Sequence, residues 1–330
     1  MKTRRRISIR EVLVFVLLLF LVGEFHNNEA TGQTNYPSKP IELIGCDKAG
    51  SQGDIAQRIL AEFLKPKLGQ PVIVVAKPGA GGMLGTNYVA KAEPDGYTLV
   101  SMGYAETVTA FLLHKPPYKL DDFRAVCMYG QHNNVMAVPA DSPWKTMKEF
   151  ISYAKKNPGV KYCHPGKGYT PWVQAEYFAA RAGIQLDGVP FSADALASSV
   201  VAKQVPIGIM GYTSASPQAA AGRLRMLMTF TPEGIEGEPN LPTLQEVLGN
   251  DVIIYPPAMA IFVPAKTPDS VVQTLHKVVK EITSDPAFTT KMRELGAGVK
   301  YGTAEEFYAR HKYMTELIKR MFIDAKLIKG

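Results

Sequence analysis

Residues 41–64 have the sequence IELIGCDKAGSQGDIAQRILAEFL, in which a short apolar run, a glycine-rich turn and a helical pattern follow one another. Residues 72–92, VIVVAKPGAGGMLGTNYVAKA, repeat this arrangement. A short apolar run followed by a 3.6-residue pattern predicts a strand followed by a helix. The alternation indicates an α/β protein with mainly parallel sheets, in which ligands bind at the carboxyl ends of the strands.

The alternation continues well beyond this first part of the chain. Further strands are predicted at residues 98–102, 124–129, 161–163, 188–191, 207–209, 226–229, 253–255 and 258–263. After them the pattern contains only helices, at residues 270–283, 287–295 and 304–324. Because these helices have no strands of their own, we predict that they pack back onto the first domain.

The chain of 330 residues is long enough for two hydrophobic cores. We predict that it crosses between two domains twice, near residues 135–138 and 258–262. Domain I then comprises residues 35–135 plus 260–330, and domain II comprises residues 136–259. Two crossings form a hinge, and a hinged cleft is how a two-domain protein encloses a small ligand.

The first thirty residues predict export. Arg4, Arg5, Arg6 and Arg10 precede an apolar run at residues 13–22, LVFVLLLFLV. A basic flank and an apolar run of this length are typical of a secretory signal, since a membrane-spanning helix needs about 20 apolar residues. We therefore expect residues 1–30 to be a signal segment and the protein to be periplasmic or otherwise extracytoplasmic. An uncleaved membrane anchor is the alternative.

Composition and motifs exclude several classes of function. The net charge of +7 is modest, and no basic run has interleaved aromatic residues, so nucleic acid is not expected as a partner. Three cysteines are too few and too scattered for a disulfide framework. The chain contains no HExxH, no GxSxG and no Cys/His ligand spacing. We therefore predict no enzymatic activity, no metal site and no cofactor.

Three glycine-rich loops join predicted strands to predicted helices, at residues 45–54, 77–82 and 163–170. Glycine lets the backbone approach a ligand closely, and the free N–H groups at the start of a helix favour an anion. None of the loops matches a phosphate loop or the dinucleotide-binding GxGxxG pattern. The first two fall in domain I and the third in domain II, so together they predict a carboxylate held from both sides.

An ordered set of short motifs runs along the exported part of the chain. It includes Tyr36-Pro-Ser-Lys-Pro-Ile41, Leu68-Gly-Gln-Pro-Val72, Lys77-Pro-Gly-Ala-Gly-Gly82, Pro94-Asp-Gly-Tyr-Thr-Leu99, Val189-Pro190-Phe191, Gly222-Arg-Leu-Arg225 and Val263-Pro-Ala-Lys-Thr-Pro268. Through this set the chain resembles the Bug-type receptors of tripartite tricarboxylate transporters. The resemblance implies a two-domain periplasmic-binding-protein fold that closes like a flytrap on a small organic acid. It also implies a monomer that delivers this ligand to membrane transporter subunits.

In this family, backbone N–H groups and small hydroxyls of the loops hold one ligand carboxylate. Carried over by position, and extended to the residues that differ from the family pattern, the predicted ligand-binding residues are Asp47, Ala49, Gly50, Ser51, Asp54, Gly79, Ala80, Gly81, His164, Gly166, Lys167, Gly168, Tyr169, Thr170 and Met210.

The departures from the family pattern fall in the predicted pocket itself. They are Cys46, Asp47, His164, Tyr169, Trp172, Met210 and Ala258. Met210 stands where the family has an acid, which makes an amino acid a less favoured ligand than a mono- or dicarboxylate.

Several roles stay open for the residues that differ. Lys48, Lys167 and His164 are candidates for a second ligand carboxylate. Tyr169 or Trp172 is a candidate for stacking on a ligand ring. Asp47 pairs either with a ligand ammonium or with a neighbouring lysine. A solvated position at the edge of a loop is the alternative for each of them.

A second function fits the same fold equally well at this stage. The protein is then a ligand sensor that signals to a membrane receptor and has no part in transport. The amino-acid sequence alone does not separate this hypothesis from delivery to a transporter.

Overall fold

The computed structural model describes residues 36–253 and 258–329. The strands in these residues are β1 Ile41–Gly45, β2 Val72–Ala76, β3 Thr98–Met102, β4 Phe123–Gln131, β5 Asn134–Pro139, β6 Val160–His164, β7 Leu186–Pro190, β8 Ile207–Gly211, β9 Leu224–Thr229, β10 Ala258–Pro264 and β11 Gly302–Thr303. The α-helices are α1 Gln52–Leu68, α2 Met83–Ala90, α3 Ala110–Leu113, α4 Met147–Lys156, α5 Thr170–Ala182, α6 Leu196–Val201, α7 Tyr212–Ala220, α8 Leu244–Leu248, α9 Asp269–Thr283, α10 Pro286–Glu294 and α11 Ala304–Asp324.

Two predicted segments fall wholly or partly outside the residues that the structure describes. The signal segment, residues 1–30, lies outside the described residues. Of the strand predicted at residues 253–255, Ile253 is not in a strand. Residues 254–255 lie outside the described residues. Of the helices described, none has both the length and the apolar character needed to span a bilayer.

The strands form two sheets, and helices pack on both, which confirms the α/β prediction. The first sheet has the order β11-β4-β10-β3-β1-β2, and the second has the order β7-β6-β8-β5-β9. The chain leaves the first sheet after β4 and enters the second at β5, with only residues 132–133 between them. It returns to the first sheet at β10.

The prediction of mainly parallel sheets was wrong, because both sheets are mixed. Strand β1 pairs in parallel with β2 and β3, and β6 pairs in parallel with β7 and β8. In contrast, β10 runs antiparallel to β3 and β4, and β5 runs antiparallel to β8 and β9. Strands β5 and β10 are the ones that enter a sheet from the other half of the chain. No crossover helix precedes them within their own sheet to impose the parallel direction.

Local chemistry fixes where α1 begins, directly after β1. Ser51 is the N-cap residue, and its hydroxyl accepts a hydrogen bond from the backbone N–H of Asp54 at 3.2 Å. The helix ends at Gly69, whose φ of 68° is the left-handed conformation that favours glycine. The start of α1 therefore lies at the carboxyl edge of the first sheet.

The C-terminal helices close the first sheet, as predicted from their lack of strands. Helices α9 and α10 contact α1, and α9 also contacts β4. Helix α11 contacts β4 and, in addition, α5, which follows β6 of the second sheet. Its Phe307 is fully buried and packs on Phe262 of β10, with ring centroids 5.0 Å apart. The end of the chain is thus part of the same core as the sheets.

Candidate functional site

A cavity of about 100 Å³ lies where the loops of the two sheets meet. Its wall comes from the turns that follow β1, β3 and β8, from the link between β4 and β5, and from the start of α5. A water molecule needs about 10–15 Å³ of such space, so the cavity has room for a small organic molecule. The site is therefore built from loops at the carboxyl ends of strands, as expected for an α/β protein.

The N-terminal ends of three helices converge on this cavity. They contribute Ser51, Gln52 and Gly53 from α1, Thr170 and Pro171 from α5, and Gly211 with Ser214 from the start of α7. Within the described residues, no acceptor bonds to the backbone N–H of Gln52, Gly53 or Thr170. Free N–H groups at the positive ends of helix dipoles form a site for an anion.

Two carboxyl groups also line the cavity. Glu106 follows β3, is 6% exposed, and accepts a hydrogen bond from the backbone N–H of Gly103 at 2.9 Å. Burial, reinforced by the nearby charge of Asp47, raises the pKa of Glu106 to about 7. Burial also raises the pKa of Asp47, although the neighbouring His132 partly offsets this effect. The wall therefore combines free backbone N–H groups with two carboxyl groups.

His132 is the third titratable group of this cluster, in the link between β4 and β5. Burial lowers the pKa of its imidazole, and the carboxylate of Asp47 counteracts this only in part. A histidine whose pKa lies below 6.5 is mostly neutral at pH 7. His132 is therefore a hydrogen-bonding group of the wall rather than a fixed positive charge.

Direct contacts hold the loops of the two sheets together next to the cavity. The hydroxyl of Tyr169, before α5, accepts a hydrogen bond from the N–H of Gly79 at 3.3 Å and donates one to the carbonyl of Cys46 at 3.5 Å. A Cβ atom added to Gly168 would lie 3.6 Å from the Cα of Gly81. The cleft between the two sheets is thus closed over the cavity in this structure.

Changing Tyr169 to Phe is expected to weaken ligand binding about 5- to 150-fold without unfolding the protein. The change removes both hydrogen bonds across the cleft, and each contributes about 0.5–1.5 kcal/mol. The matched control is Tyr153→Phe, because Tyr153 is an exposed residue of α4. Isothermal titration calorimetry measures both variants, and an affinity of Tyr169→Phe equal to that of Tyr153→Phe would rule out a role of this hydroxyl in closure.

The structure brings four of the predicted binding residues to the cavity wall: Asp47, Ser51, Tyr169 and Thr170. Those of the second loop, Gly79, Ala80 and Gly81, and also Gly168, lie beside the cavity, where the loops of the two sheets meet. The roles of all these residues in ligand binding stay predictions.

The remaining predicted residues have other surroundings in the structure. Asp54 forms a two-pronged ion pair with Arg58, with both contacts at 3.0 Å, and so stabilises the start of α1. His164 is buried, and its Nδ1 accepts a hydrogen bond from the N–H of Gly166. Met210 is fully buried in the core of the second sheet rather than at the cavity. Ala49, Gly50 and Lys167 are exposed.

Several residues of the wall were not predicted from the sequence, above all Glu106 and His132. Glu106 lies four residues beyond the end of a buried strand, where ligands of α/β proteins bind. An acidic residue shortly after the strand predicted at residues 98–102 was the signal in the sequence that could have identified Glu106. His132 lies three residues before the predicted crossing near residues 135–138, and this position was a second signal.

Comparison with known proteins agrees with this architecture. A family model described as "Tripartite tricarboxylate transporter family receptor" matches residues 56–323. A UPF0065 protein of Bordetella bronchiseptica is 32% identical over 280 residues, which cover 84% of this chain and 82% of that protein. The structure of the periplasmic binding protein BugD is similar with a TM-score of 0.81 and 27% identity, covering 88% of this chain and 99% of BugD.

A third similarity concerns the fold alone, because the sequence identity is only 23%. The R. palustris protein Rpa4515, solved with adipate, has a TM-score of 0.83 and covers 88% of this chain and 98% of its own. These similarities confirm the predicted two-domain periplasmic-binding-protein fold with its cleft between the domains. The chain therefore belongs to the tripartite tricarboxylate transporter receptor family, that of the Bug-type periplasmic solute-binding proteins.

Proposed function

We propose that this protein captures a small organic carboxylate outside the cytoplasm and delivers it to the membrane subunits of a tripartite tricarboxylate-type transporter. The observation that carries the proposal is the convergence of three helix N-termini on the closed cavity. The complex of Rpa4515 with adipate supports the choice of a carboxylate, since that protein has the same fold. The protein acts as a monomer and without catalysis, after export by its N-terminal segment.

The free N–H groups of Gln52, Gly53 and Thr170 are the proposed donors to one ligand carboxylate. Hydrogen bonds to an ionised acceptor are about twice as strong as neutral ones. The dipoles of α1 and α5 add to this attraction, because both helices point their positive ends at the cavity. Ser51 and Thr170 supply hydroxyl groups beside these donors.

Opening and closing of the cleft is the proposed step that admits and releases the ligand. We place the hinge at the two crossings, so that the first sheet and its helices move against the second sheet and its helices, a division close to the predicted one into residues 35–135 plus 260–330 and residues 136–259. The short link between β4 and β5 supports the first crossing, since it leaves few residues to absorb the motion. Closure brings the third glycine-rich loop against the first two.

Thermal unfolding with matched pairs of compounds tests the proposal. Each carboxylic acid, such as adipate, benzoate or glutamate, is compared with the amide of the same skeleton. A ligand at about 100 times its Kd adds roughly 2.7 kcal/mol to stability, which raises Tm by several degrees. We expect at least one acid to stabilise the protein and its amide not to do so. Equal stabilisation by acids and amides, or none by any acid, would contradict the proposal.

Delivery to a transporter needs a second experiment, in cells. Uptake of the labelled acid is measured in a strain that lacks the gene and in the same strain complemented with it. We expect uptake to depend on the gene. Unchanged uptake together with tight binding of the acid would favour the ligand sensor over the transport receptor.

A further inference from the structure

The cavity carries more negative charge than a receptor for a simple anion needs. Asp47 and Glu106 both face it, from the turns after β1 and β3. Among residues 36–253 and 258–329, no lysine or arginine forms an ion pair with either of them. Lys48 also lines the cavity, but it pairs with neither carboxyl group. Within the described residues, neither carboxyl group is therefore part of an ion pair.

Each of the two carboxyl groups lies against a glycine of a neighbouring loop. A Cβ atom on Gly53 would overlap with Oδ2 of Asp47, and one on Gly82 would lie 2.5 Å from Oε1 of Glu106. The missing side chains make room for the carboxyl groups at the start of α1 and in the second glycine-rich loop. The two acids are thus packed into place beside the cavity rather than extended into solvent.

The hydrogen bonds of the two acids leave oxygen atoms available. The carboxyl group of Glu106 receives backbone N–H donors only, from Gly103 to its Oε2 at 2.9 Å and from Glu106 itself, and within the described residues no side chain donates to it. No donor in that part of the chain bonds to either side-chain oxygen of Asp47. A carboxylate removed from water without a partner costs free energy, and a cation bound beside it offsets that cost. His132 does not supply the cation, since burial lowers its pKa.

We propose that the ligand is a zwitterion whose carboxylate binds at the N-terminal ends of α1 and α5 and whose protonated nitrogen binds between Asp47 and Glu106. This inference rests on the proposed function and names the ligand class for the same cavity. It assigns charge selection to two acids, one of which, Glu106, was not among the predicted binding residues. It also replaces the preference for a simple mono- or dicarboxylate, which rested on the absence of an acid at Met210.

A dicarboxylate fits the charges of this cavity less well. Its second carboxylate would face Asp47 and Glu106, and like charges a few ångströms apart repel strongly in a cavity with little water. Binding would require both acids to be protonated, so that they donate hydrogen bonds to the ligand. Burial raises the pKa of both side chains, which favours their protonated forms. The test must therefore distinguish a dicarboxylate bound to protonated Asp47 and Glu106 from a zwitterion bound to the ionised side chains.

The test uses pairs of compounds that differ only in the amino group: glutamate and glutarate, aspartate and succinate, 4-aminobutyrate and butyrate, and alanine and propionate. Titration calorimetry at pH 7.5 with the wild-type protein gives the affinity of each member. In at least one pair we expect the amino compound to bind at least 10-fold more tightly than its partner. This comparison needs no variant, so it does not depend on how substitutions affect folding.

Variants then assign the effect to the two acids. We expect Asp47→Asn and Glu106→Gln each to weaken binding of the amino compound at least 10-fold, because each removes a charge that faces the ligand nitrogen. Glu305→Gln is the matched control, since Glu305 is exposed at the start of α11 and is expected to bind with wild-type affinity.

Two outcomes would overturn the inference in different ways. If the compounds without an amino group bind as tightly or more tightly, and Glu106→Gln does not weaken their binding, the acids do not select a cation. The proposed function would then stand with a different ligand class. If no compound with a carboxylate binds to the folded wild-type protein, both the inference and the proposed function fail.

Discussion

Gly168→Leu is expected to weaken ligand binding at least 100-fold while both sheets stay folded. The loop that contains Gly168 contacts the second glycine-rich loop at Gly81, and a Cβ atom on Gly168 would be only 3.6 Å from its Cα. The longer side chain of leucine would have to occupy the space of Gly81. Because Tyr169 is the next residue, the hydrogen bonds across the cleft would be lost together with the contact.

The control for this variant must carry the same backbone strain. Gly168 has a φ of 88°, where any other residue costs about 1–2 kcal/mol. Gly183, at the far end of α5, has a φ of 64° and no atom within 4 Å of an added Cβ. Gly183→Leu should therefore lower stability by a similar amount and leave the affinity unchanged. Small-angle scattering with ligand should show a larger radius of gyration for Gly168→Leu. A wild-type affinity in that variant would show that the closed contact is not needed for binding.

Much of the fold could be predicted, because strands and helices in this chain follow their hydrophobic patterns. The predicted bounds of β3 and α11 agree with the structure at both ends. The first glycine-rich loop was predicted to extend to residue 54, whereas α1 already begins at Gln52. Periodicity detects the buried face of a helix, whereas the hydrogen bond of the Ser51 cap decides where the helix begins. The direction of β5 and β10 could not be predicted, since it depends on how the two halves of the chain meet.

The candidate site could be predicted only where it coincides with glycine-rich loops. Asp47, Ser51 and Thr170 lie in such loops, and they line the cavity. Glu106 follows β3 in a helical turn that is not rich in glycine. Its proximity to Asp47 depends on how the turns after β1 and β3 pack together in the folded protein. Met210, in contrast, was predicted to bind the ligand but does not line the cavity. It precedes Gly211, which lines the cavity, but successive residues of a strand point to opposite faces, and its own side chain enters the core.

Phe307→Ala is expected to lower the free energy of unfolding by about 3–5 kcal/mol, the usual cost of removing a buried phenylalanine. Phe307 is fully buried, its ring stacks on that of Tyr104 at 5.6 Å, and it packs edge-on against Phe262. Tyr104 lines the cavity, so the same packing connects α11 to the wall of the binding site.

Urea denaturation of Phe307→Ala measures this cost, with Tyr313→Ala as the control on the same helix. Tyr313 is 63% exposed, so its removal should change stability by no more than about 0.5 kcal/mol. The cavity left by Phe307 frees the ring of Tyr104, and we therefore expect ligand affinity to fall as well, although the substituted residue does not line the binding site. Equal stabilities of the two variants would show that α11 does not unfold together with the first sheet. The C-terminal helix would then unfold independently of the first sheet, and only β3 would position Tyr104 in the cavity wall.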